Sequence, residues 1–144
     1  TLQSLLKNST QSVPIMLRLH PFAKLSYGVR RWIRLSLDKG DICMSKDDSS
    51  LIADLESAIA VIGMSTTVLE EALLLGRPVV QLQHPDYREF IDIDGVEGVM
   101  KMDYRKLLAK DLIDASTLTV DHVGMRERLG LQNEIIDYKR LFAG

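Results

Sequence analysis

Short apolar runs alternate along this chain with longer stretches in which apolar residues recur at helical spacing. Val13 to Leu19, Asp41 to Ser45, Ala58 to Ile62 and Pro78 to Leu82 read as strands, as does a shorter run near Gly98 to Met102. Between them Phe22 to Leu37, Ser50 to Ser57 and Ser65 to Leu75 carry the helical period. Helices around Tyr104 to Asp114, Asp121 to Leu129 and Gln132 to Phe142 come next, and Leu2 to Asn8 reads as the end of a helix. Apolar runs without polar alternation suit strands covered on both faces, and strands alternating with helices predict an α/β fold with a parallel sheet and right-handed crossovers. Residues 1–144 show no repeat, linker or low-complexity tract, so one domain is expected.

The stretch Ala58 to Gln81 carries the most chemistry. An apolar strand ends at Gly63, which permits a tight exit, and Ser65, Thr66 and Thr67 are residue types that cap helix starts. Glu70 and Glu71 sit early in the next helix, as in a capping arrangement, and Gly76-Arg77-Pro78 separates it from the next strand. Two readings stand side by side. In one, Ser and Thr cap a helix and the glutamates form a solvated face. In the other, the exposed N–H groups and hydroxyls of Ser65 to Thr67 hold a phosphate or diphosphate, aided by the helix dipole, while Glu71 accepts hydrogen bonds from ribose hydroxyls.

Composition narrows the field modestly. With 46% hydrophobic and 26% charged residues, the 144-residue chain is of ordinary globular type. A formal net charge of -2 gives no electrostatic reason to expect nucleic acid as a partner. The one cysteine, Cys43, excludes an internal disulfide and suits a reducing, cytoplasmic setting. No apolar run is long enough for a membrane span.

The run I-G-M-S-T-T-V-L-E-E-A-L-L-L-G-R-P-V-V resembles the donor-binding motif in the C-terminal domain of GT-B glycosyltransferases and the related non-hydrolysing sugar-nucleotide epimerases. The resemblance implies a Rossmann-like parallel sheet flanked by helices. It also implies that a pair of small or hydroxylic residues opens the helix at the donor phosphates, here Ser65-Thr66 with Thr67 as an extra hydroxyl. The ribose-binding carboxylate would be Glu71, in Glu71-Ala72-Leu73-Leu74-Leu75-Gly76, ahead of Glu70. The strand Val13 to Leu19 ends in His20-Pro21, which looks like the H-P motif of bacterial polysialyltransferases, CDP-glycerol polymerases and capsule polysaccharide transferases. In those families the His contacts the donor phosphate, so His20 would be both a catalytic and a donor-binding residue. Imidazole suits that role, since its N–H donates to phosphate oxygen. His20 and the helix start are then expected to converge on one anionic group.

The resemblance implies transfer of a glycosyl or phospho-alcohol group from a nucleotide-activated donor of the CMP/CDP or UDP type, in surface polysaccharide biosynthesis. Cofactors and bound metals are not called for, the donor being the substrate. Partners are that donor and an N-terminal GT-B domain of the same protein, which would supply the base that activates the acceptor. The chain begins with Thr1, and the expectation is a fragment of a longer protein that lacks the domain's first strand and is inactive alone. Two other readings stay open: half of a UDP-sugar 2-epimerase, against which Ser65-Thr66-Thr67 stands in place of the usual S-G-G, and a non-catalytic α/β interaction module.

Other residues have alternative readings. His84, in a second His-Pro after a strand, would approach sugar or acceptor, or lie in a plain surface loop. Arg18 and Arg77 are candidates for the positive field at the phosphates, Arg18 also for a strand-edge charge. Lys24, Arg30, Arg31 and Arg34 beside Trp32 form either a solvated basic face or one lying peripherally on an anionic membrane such as the inner membrane. Asp47 and Asp48 read as a turn and helix cap, Asp92 and Asp94 as a polar loop.

Overall fold

The computed structural model describes residues 14–20, 22–46, 49–86 and 88–131. The helices expected at Leu2 to Asn8 and Gln132 to Phe142, together with Pro21, Asp47 and Asp48, lie outside the described residues. The described chain is α/β, with parallel strands alternating with helices in a Rossmann-like arrangement. Its contacts divide into two compact units, which part between Ser49 and Ser50.

The first unit is a single β-α-β element. Strand β1 (Ile15–Leu17) leads through helix α1 (Tyr27–Asp38) to strand β2 (Ile42–Met44), and the two strands pair in parallel with Ile15 opposite Ile42. The apolar period predicts helix from Phe22, but α1 begins at Tyr27 because Ser26 supplies the cap: its side chain accepts from the Val29 N–H at 3.4 Å. Periodicity registers which residues face inward, not where the first hydrogen bond closes. Ile33 and Ile42 are buried, and Trp32 is half-buried on the same side of α1.

The second unit holds helix α2 (Leu51–Ser57), strand β3 (Val61–Gly63), helix α3 (Thr67–Leu74), strands β4 (Val79–Gln83) and β5 (Val99–Asp103), and helices α4 (Ala109–Ser116) and α5 (His122–Arg128). Strands β3, β4 and β5 form a parallel sheet in that order, with Val61, Val79 and Val99 in register across it. Strand β3 starts three residues later than the apolar run, since Ala58 closes α2 by donating to Leu55 O at 3.2 Å. At the far end of α3 the Gly76 N–H donates to Leu73 O and the Arg77 N–H to Ala72 O, a Schellman arrangement. It needs the left-handed φ of 72° that Gly76 adopts.

Leu69, Ala72 and Leu73 of α3 pack on Val79, with Ile93 and Met125, in a cluster sealed from solvent. Val80, pointing to the other sheet face, is equally buried, and α4 contacts β4 through a layer that includes Leu112 and Ala115. Helices therefore cover the sheet on both faces. Removing a side chain from the sealed layer leaves a cavity that neighbours fill only in part. Leu73→Ala is therefore expected to lower unfolding free energy by about 2 to 5 kcal/mol in urea denaturation; a loss well under 1 kcal/mol would contradict this packing.

Candidate functional site

The site is built where β3 gives way to α3. A Cβ added at Gly63 would lie 3.0 Å from Thr66 Cγ2 and 3.1 Å from Leu69 Cδ2, so glycine lets the first turn of α3 close on the strand end. Thr66, with extended φ and ψ of -146° and 139°, is the N-cap, and its hydroxyl oxygen accepts from the Val68 N–H at 3.3 Å. The hydroxyl oxygen of Ser65 accepts from the Phe90 N–H at 2.5 Å. Each hydroxyl thus uses its oxygen as an acceptor and keeps its hydrogen for donation. Thr67 is exposed, and its backbone N–H, the first of the helix, has no acceptor among the described residues. Three hydroxyls and one N–H therefore gather at the positive end of α3, beyond the carboxyl edge of a parallel sheet, a chemistry suited to an anion.

Glu71 lies about one helical turn further on, roughly 6 Å along the axis from Thr67. The residue is half-buried, yet its Oε2 is out of reach of solvent and has no hydrogen-bond partner among the described residues. Burial, and then the neighbouring Glu70 charge, raise the Glu71 carboxyl above its ordinary value of 4.5; burial also raises Glu70. A carboxylate kept in this state has acceptor capacity to offer a donor.

Gln81 is a residue that sequence reasoning missed. In β4 it stands in register between Gly63 and Lys101, so its side chain points to the face covered by α3. It is fully buried, with neither amide atom hydrogen-bonded among the described residues. The signal was present: in V-V-Q-L-Q, Gln81 and Gln83 occupy alternate positions of an otherwise apolar strand.

A polar network fastens the connection from β4 to β5 beside this edge. Glu89 accepts from Gln83 Nε2 at 3.0 Å and from Lys101 Nζ at 2.9 Å, and these bonds, Gln83 first, hold its carboxyl below the ordinary range. Lys101 also pairs with Asp94, and Arg128 donates to Asp92 O at 3.1 Å and to Asp94 O at 2.5 Å. Asp92 and Asp94 are thus polar loop residues, as expected, and Phe90 stays exposed next to Ser65. No local sequence pattern announced this network, because its partners meet only through the fold.

Among the other expected residues, Ser65, Thr66, Thr67 and Glu71 come together at one helix of the second unit, while His20 belongs to the first. There His20 is exposed, and its Nδ1 accepts from the Phe22 N–H at 3.2 Å, which leaves Nε2 as the proton-bearing nitrogen of the neutral ring. Arg18 donates to Ser45 Oγ at 3.1 Å and Ser49 O at 3.3 Å, within the same unit. Arg77 is not at the hydroxyl-rich edge: preceding β4, it stands at the opposite end of the parallel sheet and donates to Glu56 O at 2.6 Å. His84 lies against Tyr104, ring centroids 4.3 Å apart, just after β4. Among the described residues no group of three His, Cys, Asp or Glu side chains is placed to hold a metal ion, and no helix is long and apolar enough to cross a membrane.

No family model matches the chain, and no curated protein or solved structure matches it.

The unpaired carboxylate has a measurable consequence. Because the folded-state value of Glu71 is raised above 4.5, the native state takes up the proton more readily than the unfolded chain. The ionised group therefore costs stability above its folded-state value, and that cost is gone below the unfolded value of 4.5. Glu71→Gln is expected to raise the melting temperature at neutral pH, with the gain shrinking to nothing as pH falls through this window; a constant gain, or a loss at neutral pH, would count against the assignment.

Proposed function

We propose that this chain binds the nucleotide of an activated donor for a GT-B-type transferase of surface polysaccharide synthesis. The observation that carries the reading is the pairing on α3 of a hydroxyl-rich start with a carboxylate oxygen that has no partner among the described residues, one turn away. Phosphate oxygens accept from Thr67 N–H and from the hydroxyls of Ser65, Thr66 and Thr67. Ribose hydroxyls donate to Glu71 and restore the hydrogen bonds that burial took from it. A nucleoside phosphate offers both groups, acceptors at one end and donors at the other, in one small molecule.

On this reading the bond between the transferred group and the nucleotide phosphate breaks as the acceptor oxygen attacks. Preorganised donors stabilise the negative charge that develops on the departing phosphate, the kind of contribution that dominates many active sites. Resemblance to the H-P families adds His20 as a further donor through Nε2–H. It also assigns the base that deprotonates the acceptor to an N-terminal domain, so that turnover belongs to the two-domain protein and nucleotide binding to this chain. A CMP, CDP or UDP donor fits the families resembled.

Amide shift mapping with CMP, CDP, UDP and GDP tests the proposal. The expected response is confined to Ser65 to Thr67, Glu71 and His20, and Glu71→Ala should weaken binding by about ten- to a hundredfold, the usual span for a hydrogen bond to a charged group. Silence with every nucleotide would favour the interaction module instead, and shifts that spare α3 would refute the site.

A further inference from the structure

The outward side of α1 carries a pattern that donor binding does not use. At about 100° per residue, Arg30, Arg34, Tyr27, Asp38, Arg31 and Leu35 succeed one another around less than half of the helix circumference, so three cations, one carboxylate and two large apolar or aromatic side chains share this side. All six are exposed, Tyr27 at 80% and Leu35 at 49%. Just before the helix, Lys24 is exposed and Phe22 is 85% exposed. Ile33 and Ser36 are buried on the far side with Trp32 half-buried beside them, so the unit already uses that side for its own packing, and half-buried Leu37 borders the face next to Arg30. Asp38, the one acidic residue of α1, closes the helix on the same side as the cations and leaves them in excess on this face.

Beside this face runs an open hollow of about 280 Å³, lined by the apolar Leu19, Leu25, Ile33 and Leu37 together with Arg30, Arg34 and Asp38. Arg30 is held there by a hydrogen bond from Nε to Leu25 O at 2.9 Å. Cations are thus interleaved with exposed aromatic and aliphatic side chains, beside a mostly apolar recess that two guanidinium groups and one carboxylate also line. A polyanion in water complements only the cations; a bilayer surface with anionic headgroups complements both kinds of group.

We propose that this face of α1 docks on an anionic phospholipid membrane, with Lys24, Arg30, Arg31 and Arg34 on headgroup phosphates and Phe22, Tyr27 and Leu35 entering the interface. The proposal does not depend on nucleotide binding by α3. Co-sedimentation of the 144-residue chain with phosphatidylcholine vesicles, with and without phosphatidylglycerol, tests it. Binding is expected only to the anionic vesicles and should disappear at high salt. The double variant R31A/R34A, with an unchanged circular dichroism spectrum, should partition roughly thirtyfold less at the ordinary contribution per cation. Phe22→Ser should weaken binding as well. Failure to bind anionic vesicles, equal binding to neutral ones, or insensitivity to R31A/R34A would overturn the proposal. Insensitivity to Phe22→Ser would also contradict it, since charge alone would then account for the attachment.

Discussion

The close approach of α3 to the end of β3 is the contact on which the rest of the second unit depends. Gly63 has no side chain to hold Thr66 and Leu69 away, and Leu69, Ala72 and Leu73 seal against Val79 beneath them. Because β3 and β4 run parallel, this packing fixes the positive end of the helix at the carboxyl edge of the sheet. Packing alone thus sets where the N–H of Thr67, without an acceptor among the described residues, and the hydroxyls of Ser65 and Thr66 are displayed. Each hydroxyl is oriented by a backbone N–H, so a donor array exists before any ligand arrives.

Polar groups kept inside that packing are costly unless something answers them. Glu71 Oε2 and both amide atoms of Gln81 are buried near one helix and sheet face without partners among the described residues. An apolar replacement at either position would relieve the cost. At Glu71 the cost is expressed in the raised carboxyl value, which burial and the Glu70 charge produce. Around this edge, by contrast, the polar groups are well satisfied: Glu89, Lys101, Asp94 and Arg128 tie the β4 to β5 connection down so that Phe90 meets Ser65.

Much of this was legible in the order of residues, for reasons that also explain the misses. The run that became β4 is apolar at its start and buried on both faces, and β5, partly buried at the sheet edge, pairs with it in register. Ser65 to Thr67 followed by Glu71 was readable because caps and helix spacing are local. Helix α1 begins five residues later than its apolar spacing suggests, because that spacing continues through Phe22 and Leu25 while the cap chemistry resides in Ser26. Gln81 carried a signal that went unread, a polar residue at an inward-facing strand position. The ties of Glu89 to Lys101 and of Arg128 to Asp92 join residues far apart in the chain, and spacing along a sequence says nothing of such meetings. Arg77 looked suitable by charge, yet the direction of a parallel strand puts it at the other end of the sheet.

The central claim is that the start of α3 and the carboxylate of Glu71 hold the two ends of one ribonucleotide. A crystal structure of the chain grown with CDP or UDP addresses it most directly. Phosphate oxygens are expected within hydrogen-bond distance of Thr67 N–H and the neighbouring hydroxyls, with ribose hydroxyls donating to Glu71. A nucleotide bound elsewhere, or one at α3 whose ribose leaves Glu71 without a donor, would contradict it.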